Sequence, residues 1–207
     1  MAMHSKTLLT PEQYLEIERK AEFKSEYYQG EMFAMAGARE GHNLIVVNLG
    51  AELRQQLRKR PCRTYVNDMR VRVSATGMYT YPDAIVVCGE PQFLDETRDT
   101  LLNPTLIVEV LSPSTEFYDR VRKFEHYSSV ESVTEYLLVA SERVRAELYT
   151  RQPDGRWLLT TASRMEDSLD LQSVGVHLAL ADLYEKVEFP GGTDDRFLSS
   201  VNQPAIL

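Results

Sequence analysis

No stretch of this sequence approaches the roughly 18 consecutive apolar residues that a bilayer-spanning helix needs, and its start, MAMHSKTLLTPEQYLEIERK, is too polar for a secretory signal. A soluble chain with a cytoplasmic address is the expectation that follows. Cysteine is nearly absent: Cys62 and Cys88 are the only two, far apart in sequence and without partners at metal-ligand spacing. That excludes a zinc knuckle, indicates no disulfide framework and leaves both as small core residues. Positive charge is in deficit, with 23 Lys and Arg against 31 Asp and Glu and a formal net charge of −8. A nucleic-acid partner would therefore need a local basic face, because phosphate contacts supply most nonspecific affinity. Two such faces exist in the sequence, one in Arg54, Arg58, Lys59, Arg60 and Arg63 and one in Arg120, Arg122 and Lys123; each also reads as solvated helix surface. No internal repeat, low-complexity tract or linker is present. A serine hydrolase built on Ser112 or Ser114 with His126 lacks the G-x-S-x-G elbow.

What is present is the composition of an ordinary globule, 43% hydrophobic and 26% charged over 207 residues, which fits one domain across 1–189 and a tail from about Pro190. Thr10-Pro11-Glu12-Gln13 combines a capping threonine, a proline at the first helical position and a glutamine three residues on, so a short helix is expected over about 11–22. Glu26 to Ala36 reads as a hairpin around Gln29-Gly30. From His42, Ile45, Leu49, Leu53 and Leu57 recur at every fourth position and lay an apolar stripe along a helix ending near Arg60-Pro61. Strands are expected at Arg63–Val66, Arg70–Val73 and Pro82–Val87, and Leu106–Leu111 is the most hydrophobic segment, fit for a central strand. Ser112-Pro113-Ser114-Thr115 then opens a helix whose buried side is marked by Phe117, Val121 and Phe124, with Asp119, Lys123 and His126 on the other. A strand at Glu135–Ala140, a hairpin joining Arg145–Thr150 to Trp157–Thr161, and an apolar stretch at Val176–Tyr184 ending in a helix complete an α/β (α+β) chain.

The chemistry is marked by carboxylates inside strands that otherwise read as core. Asp83 directly precedes Ala84-Ile85-Val86-Val87, and Glu109 interrupts an aliphatic run, where an isolated ionised carboxylate would cost several kcal/mol or take up a proton. A shared divalent cation would compensate both, since hard cations take oxygen ligands and neighbouring strands lie about 4.8 Å apart. The alternative is that Asp83 belongs to a turn and Glu109 pairs with a buried Arg70 or Arg72. Lys123, reached through the Ser/Pro turn, is a candidate to orient a water and offset charge on a phosphate, or else an ordinary i,i+4 partner of Asp119. His42 reads as a helix-capping residue, Glu31 and Glu26 as hairpin glutamates and His126 as solvated; any of the first three could also lie near a metal.

Tyr81-Pro82-Asp83, then Val108-Glu109-Val110-Leu111-Ser112-Pro113-Ser114-Thr115 with Asp119-Arg120, Lys123 and Tyr127, resembles the Uma-two family of restriction-type endonucleases, a branch of the PD-(D/E)XK nuclease superfamily. Tyr28-Gln29-Gly30-Glu31 and Gly41-His42 resemble that family's first hairpin and the start of its long helix, so the likeness covers about residues 10–185. The resemblance implies a restriction-endonuclease-like core, a mixed β-sheet flanked by helices behind an N-terminal helix and hairpin. It also implies Mg²⁺-assisted cleavage of DNA, with Mn²⁺ as a substitute. Asp83 and Glu109 match the motif acids and would hold the metal together with the Val110 carbonyl. The superfamily's lysine two residues after the acid is Leu111 here, which makes Lys123 its expected replacement. A homodimer would suit cleavage of both strands. A nuclease-like fold kept as a catalytically inactive nucleic-acid or protein binding module is the other reading.

Overall fold

The structure, a computed structural model, describes residues 8–189. Helix α1 (Pro11–Glu18) starts as its sequence dictates, with Thr10 Oγ1 accepting from the Gln13 N–H and Gln13 Oε1 accepting from the Thr10 N–H. It stops at Glu18, short of the expected 22, where the backbone tightens into turns, Lys20 N–H donating to the Ile17 carbonyl and Ala21 N–H to that of Glu18, and the Glu18 carboxylate accepts from the Ser25 N–H and the Tyr81 hydroxyl. Strands β1 (Ser25–Tyr28) and β2 (Glu31–Ala34) form the expected hairpin. Gln29 and Gly30 take φ of 49° and 85°, the mirror-image turn that a two-residue connection between twisted strands favours.

Helix α2 (Glu40–Leu57) buries the expected stripe: Ile45, Leu49, Leu53 and Leu57 are all 3% exposed or less. It lies on a six-stranded sheet built from β3 (Cys62–Val66), β6 (Ala84–Cys88), β8 (Leu106–Leu111), β9 (Glu135–Ala140), β10 (Ala146–Arg151) and β11 (Trp157–Ala162). Their order is β11-β10-β9-β8-β6-β3, so the most hydrophobic segment of the chain is an interior strand, as its composition requires. Only β8 and β9 run parallel within it. A second, five-stranded sheet joins the hairpin to β4 (Arg70–Val73), β5 (Met78–Thr80) and β7 (Thr100–Leu101) in the order β2-β1-β5-β4-β7. Between β8 and β9 the chain forms a π-turn (Tyr118–Lys123) running into α3 (Phe124–Ser128). The described chain closes with a two-stranded sheet of β12 (Ser168–Leu171) and β13 (Val176–Ala179), then α4 (Leu180–Leu183). Strands β5 and β7, of three and two residues, are too short for alternation to announce them, whereas β12 does alternate, with Leu169 and Leu171 buried and Ser168 and Asp170 exposed, and adds a strand to those expected. The expected tail from Pro190 lies outside the described residues. No helix among those described is long and apolar enough to cross a membrane.

The absence of a disulfide framework is corrected by the fold. Cys62 and Cys88 stand directly opposite in the β3–β6 register, with Cα atoms 4.0 Å apart, and form a disulfide. Separation along the sequence hid a pairing that the antiparallel register creates, since directly opposed cysteines fall within bridging reach.

Arg70 is not the partner of Glu109. It is 3% exposed and donates to Thr100 Oγ1 and to the Tyr81 hydroxyl, with Nη2 2.9 Å from Asp99 Oδ2. Asp99 also takes two hydrogen bonds from Arg19, and these, followed by the nearby Arg70 charge, lower its pKa from 3.8 to about 2. A carboxylate held below its unfolded value stabilises the fold above pH 3.8, and that contribution is lost as pH falls through about 2. Asp99→Asn is expected to lower the unfolding free energy by about 2 kcal/mol at neutral pH, with the gap to the parent closing in acid; denaturant titrations across pH measure it.

Candidate active site

The alternation of β8 decides where Glu109 goes. Val108 and Val110 join the core under α2, while Ile107 and Leu111 join the cluster that includes Tyr127 and Tyr136, so Glu109 faces that second cluster and is 3% exposed. An acid there needs compensation, and it comes from the helical segment that follows the strand. Lys123 Nζ lies 3.1 Å from Glu109 Oε1, 3.2 Å from Glu26 Oε1 and 3.1 Å from Asp119 Oδ1. The Tyr127 hydroxyl donates to the same Glu109 Oε1 at 2.9 Å. Glu26 accepts in turn from Thr80 Oγ1 at 2.5 Å and from the Tyr118 hydroxyl at 3.2 Å. One buried ammonium thus stands among three buried carboxylates.

The electrostatics follow from that count. Burial, reinforced by the charges of Asp119, Asp83 and Glu26, pushes the Glu109 pKa well above the usual carboxylate range against the pull of Lys123. Burial acts to lower the Lys123 pKa, but Glu109, Glu26 and Asp119 outweigh it, so the amine stays an ammonium at any ordinary pH. Burial likewise raises Asp119.

This arrangement reverses the expected sidedness of the segment after Pro113. Phe117 is 76% exposed and Val121 37%, while Asp119, Lys123 and His126 are buried. Of the three aromatic and aliphatic markers only Phe124 packs inward, against Tyr149 and Trp157. The apolar-face rule presumes an apolar partner; here the facing strand presents Glu109, and polar groups turn toward it. The wider π-turn, a form recurrent at functional sites, carries the reversal. The signal was present in the sequence as Asp119, Lys123 and Tyr127, spaced four apart on one side of the turn. Glu26, read as a hairpin glutamate, belongs to the same cluster. Glu31 pairs with Tyr28 at the end of the hairpin. His126 is not solvated: its Nδ1 is 2.9 Å from Thr76 Oγ1, its ring stands edge-on to Tyr28, and burial lowers its pKa. Ser112 Oγ is engaged with Ser114 and Thr115, so no serine–histidine pair forms.

Asp83 sits one residue before β6. Continuing the register of Ala84 opposite Val108 by one step sets Asp83 across from Glu109. Its Oδ2 accepts from the Val110 N–H at 2.7 Å and lies 3.3 Å from His42 Nε2. His42 therefore does not cap α2, whose N-cap is Arg39; its Nδ1 is buried without a partner. Because the N–H and C=O of an extended residue point to the same side, the Val110 carbonyl also faces the Asp83 edge. All hydrogen bonds to Glu109 fall on Oε1 and those to Asp83 on Oδ2; among the described residues none reaches Glu109 Oε2 or Asp83 Oδ1. No group of three or more His, Cys, Asp or Glu suited to a metal occurs among the described residues. Two uncommitted carboxylate oxygens on opposed residues, with a backbone carbonyl beside them, fit a small hard cation that keeps several waters, as Mg²⁺ does, rather than one wrapped fully by protein.

Comparison with known proteins defines the class. Residues 11–181 match the family model Uma2, described as "Putative restriction endonuclease", and the chain belongs to that family. It is 36% identical over 181 residues to the "Uncharacterized protein slr1290" of Synechocystis sp. (strain ATCC 27184 / PCC 6803 / Kazusa), covering 87% of this chain and 94% of that protein. It is 38% identical over 160 residues to "Uncharacterized protein sll1609" of the same organism, covering 77% and 90%. A crystal structure described as "a putative nuclease belonging to DUF820 from Anabaena variabilis ATCC 29413" superposes with a TM-score of 0.68 at 17% identity, over 85% of this chain and 97% of that one, and shows the shared fold. Family and fold together are those of restriction-endonuclease-like proteins.

The cluster makes a demand on stability that can be measured. Lys123→Met leaves three buried carboxylates without their ammonium and is expected to lower the unfolding free energy by about 3–5 kcal/mol in urea titrations at neutral pH. Adding Glu109→Gln to that variant should recover part of the loss; a Lys123→Met protein as stable as its parent would contradict this account.

Proposed function

We propose that the chain is a metal-dependent endonuclease that hydrolyses DNA phosphodiester bonds, with Asp83, Glu109 and the Val110 carbonyl as metal ligands and Lys123 beside the attacking water. One observation carries the reading: the two acids stand opposite each other, Asp83 just before β6 and Glu109 within β8, each with an uncommitted oxygen, and an ammonium is fixed on one of them. Mg²⁺, or Mn²⁺ in its place, would supply Lewis acidity toward the phosphate and a bound water of lowered pKa. The remaining roles belong to the chain. The Val110 N–H and His42 hold the Asp83 carboxylate in place, and Tyr127 does the same for Glu109. Lys123, kept protonated by its three carboxylates, orients water and offsets charge developing on the phosphate; it does not act as a base. Cutting both strands calls for two such sites, which a homodimer supplies. On this reading the chain works on DNA in the cytoplasm.

A second reading has its own observation. Glu109 already has the Lys123 ammonium and the Tyr127 hydroxyl on it, so its burial has an answer within the chain that needs no metal, as in a nuclease fold kept as a binding module. Plasmid nicking with Mg²⁺ or Mn²⁺ and calorimetric titration with Mn²⁺ separate the two. Asp83→Asn is expected to lose the Mn²⁺ binding heat and at least about 100-fold in cleavage rate while melting like its parent. An Asp83→Asn protein that cleaves at the parental rate overturns the nuclease mechanism, and a parent that gives no binding heat favours the binding module.

A further inference from the structure

The two basic faces legible in the sequence meet different fates in the fold. Arg120 pairs with Glu116 and Glu147, Arg122 approaches Glu125, and Lys123 is buried in the acidic cluster. Each of those charges therefore has an acidic partner within the chain, Lys123 in the interior and Arg122 on the surface. Arg54 and Arg58 form no ion pair or hydrogen bond among the described residues, and Arg63 comes only within 3.8 Å of Glu90. All three line an open groove of about 790 Å³ between α2 and β3, and neither Asp nor Glu lines it.

The groove has three further properties that bear on an occupant. Strand β3 is the outer strand of its sheet, so its outer backbone edge pairs with no strand among those described. The floor is small and apolar: Gly50 and Ala51 line it, and a Cβ on Gly50 would come within 3.3 Å of Val66 Cγ1, so helix and strand approach closely there. Most telling is direction. Both walls begin at the candidate active site, since His42 in the first turn of α2 is 3.3 Å from Asp83 and the Asn67 N–H beyond β3 donates to the Asp83 carbonyl at 2.9 Å. From Val46 to Arg58 the helical wall is roughly 18 Å long, the axial length of about five nucleotides of one DNA strand.

We propose that the α2–β3 groove is a track for the sugar–phosphate backbone of a DNA strand, with Arg54 and Arg58 on its phosphates, leading to Asp83. In a chain of net charge −8, an arginine-lined groove free of carboxylates is complementary to a polyanion. The identity of the partner rests on the nuclease reading; the placement of the track does not depend on any catalytic step.

The test is binding of a short labelled DNA duplex to the full chain across a salt series without divalent metal, followed by cleavage with Mn²⁺. Arg54→Ala/Arg58→Ala is expected to weaken binding about ten-fold or more and to lower the slope of log affinity against log salt by about two, one for each lost phosphate contact. The charge-reversed pair, Arg54→Glu/Arg58→Glu, should weaken it further, and Lys20→Ala, at a lysine paired with Glu16 that does not line the groove, should leave the slope unchanged. Both arginines are outside the core, and an unaltered melting curve establishes that the variants fold. Parental binding and slope in the double variants overturn the track while leaving cleavage by the parent, and with it the nuclease reading, untouched. Arginine-dependent binding without cleavage supports the track and removes the nuclease reading instead. If the double variants alter only self-association in sedimentation and not DNA binding, the groove holds a second copy of the chain and the proposal fails.

Discussion

Everything at the centre of this protein depends on a single ammonium. Lys123 holds Glu26, Glu109 and Asp119 within 3.1–3.2 Å in a region almost closed to water. These side chains come from the hairpin, from an interior strand and from the turn that follows it, so one charge ties three separate parts of the chain together. Without it the carboxylates could be buried only by taking up protons, and the polar side of the π-turn would have no reason to face the sheet. The exposure of Phe117 and Val121 is the other half of the same event.

That arrangement also defines what a metal would add. Lys123 and Tyr127 engage Oε1 of Glu109, while the oxygens left uncommitted belong to Glu109 and Asp83, opposed across adjacent strands. Lysine and cation would therefore serve different oxygens of one carboxylate. Net negative charge does not conflict with a polyanionic substrate when the cationic residues are sorted. The fold pairs or buries those after Pro113 and leaves those on the outer side of α2 unpaired, along a groove that starts at Asp83.

Where elements could be read from the chain, local rules sufficed. The Thr10 capping box, the Gln29-Gly30 turn, the four-residue recurrence from Ile45 to Leu57 and the aliphatic runs of β6, β8 and β9 each express a backbone or solvation preference that acts within a few residues. The misreadings share one cause. The Cys62–Cys88 bridge, the inward turn of Asp119 and His126, the role of Glu26 and the contact of His42 with Asp83 all depend on residues distant in sequence.

The sequence by itself determined that two carboxylates would occupy positions where water is scarce, because hydrophobic neighbours on either side leave β8 and the start of β6 nowhere else to go. Only the tertiary structure decided what answers those charges. Strand register sets Asp83 across from Glu109, and the packing of a π-turn against β8 brings Lys123 to Glu109 in place of the arginines of β4, because charge compensation is a property of space and not of the order of residues along a chain.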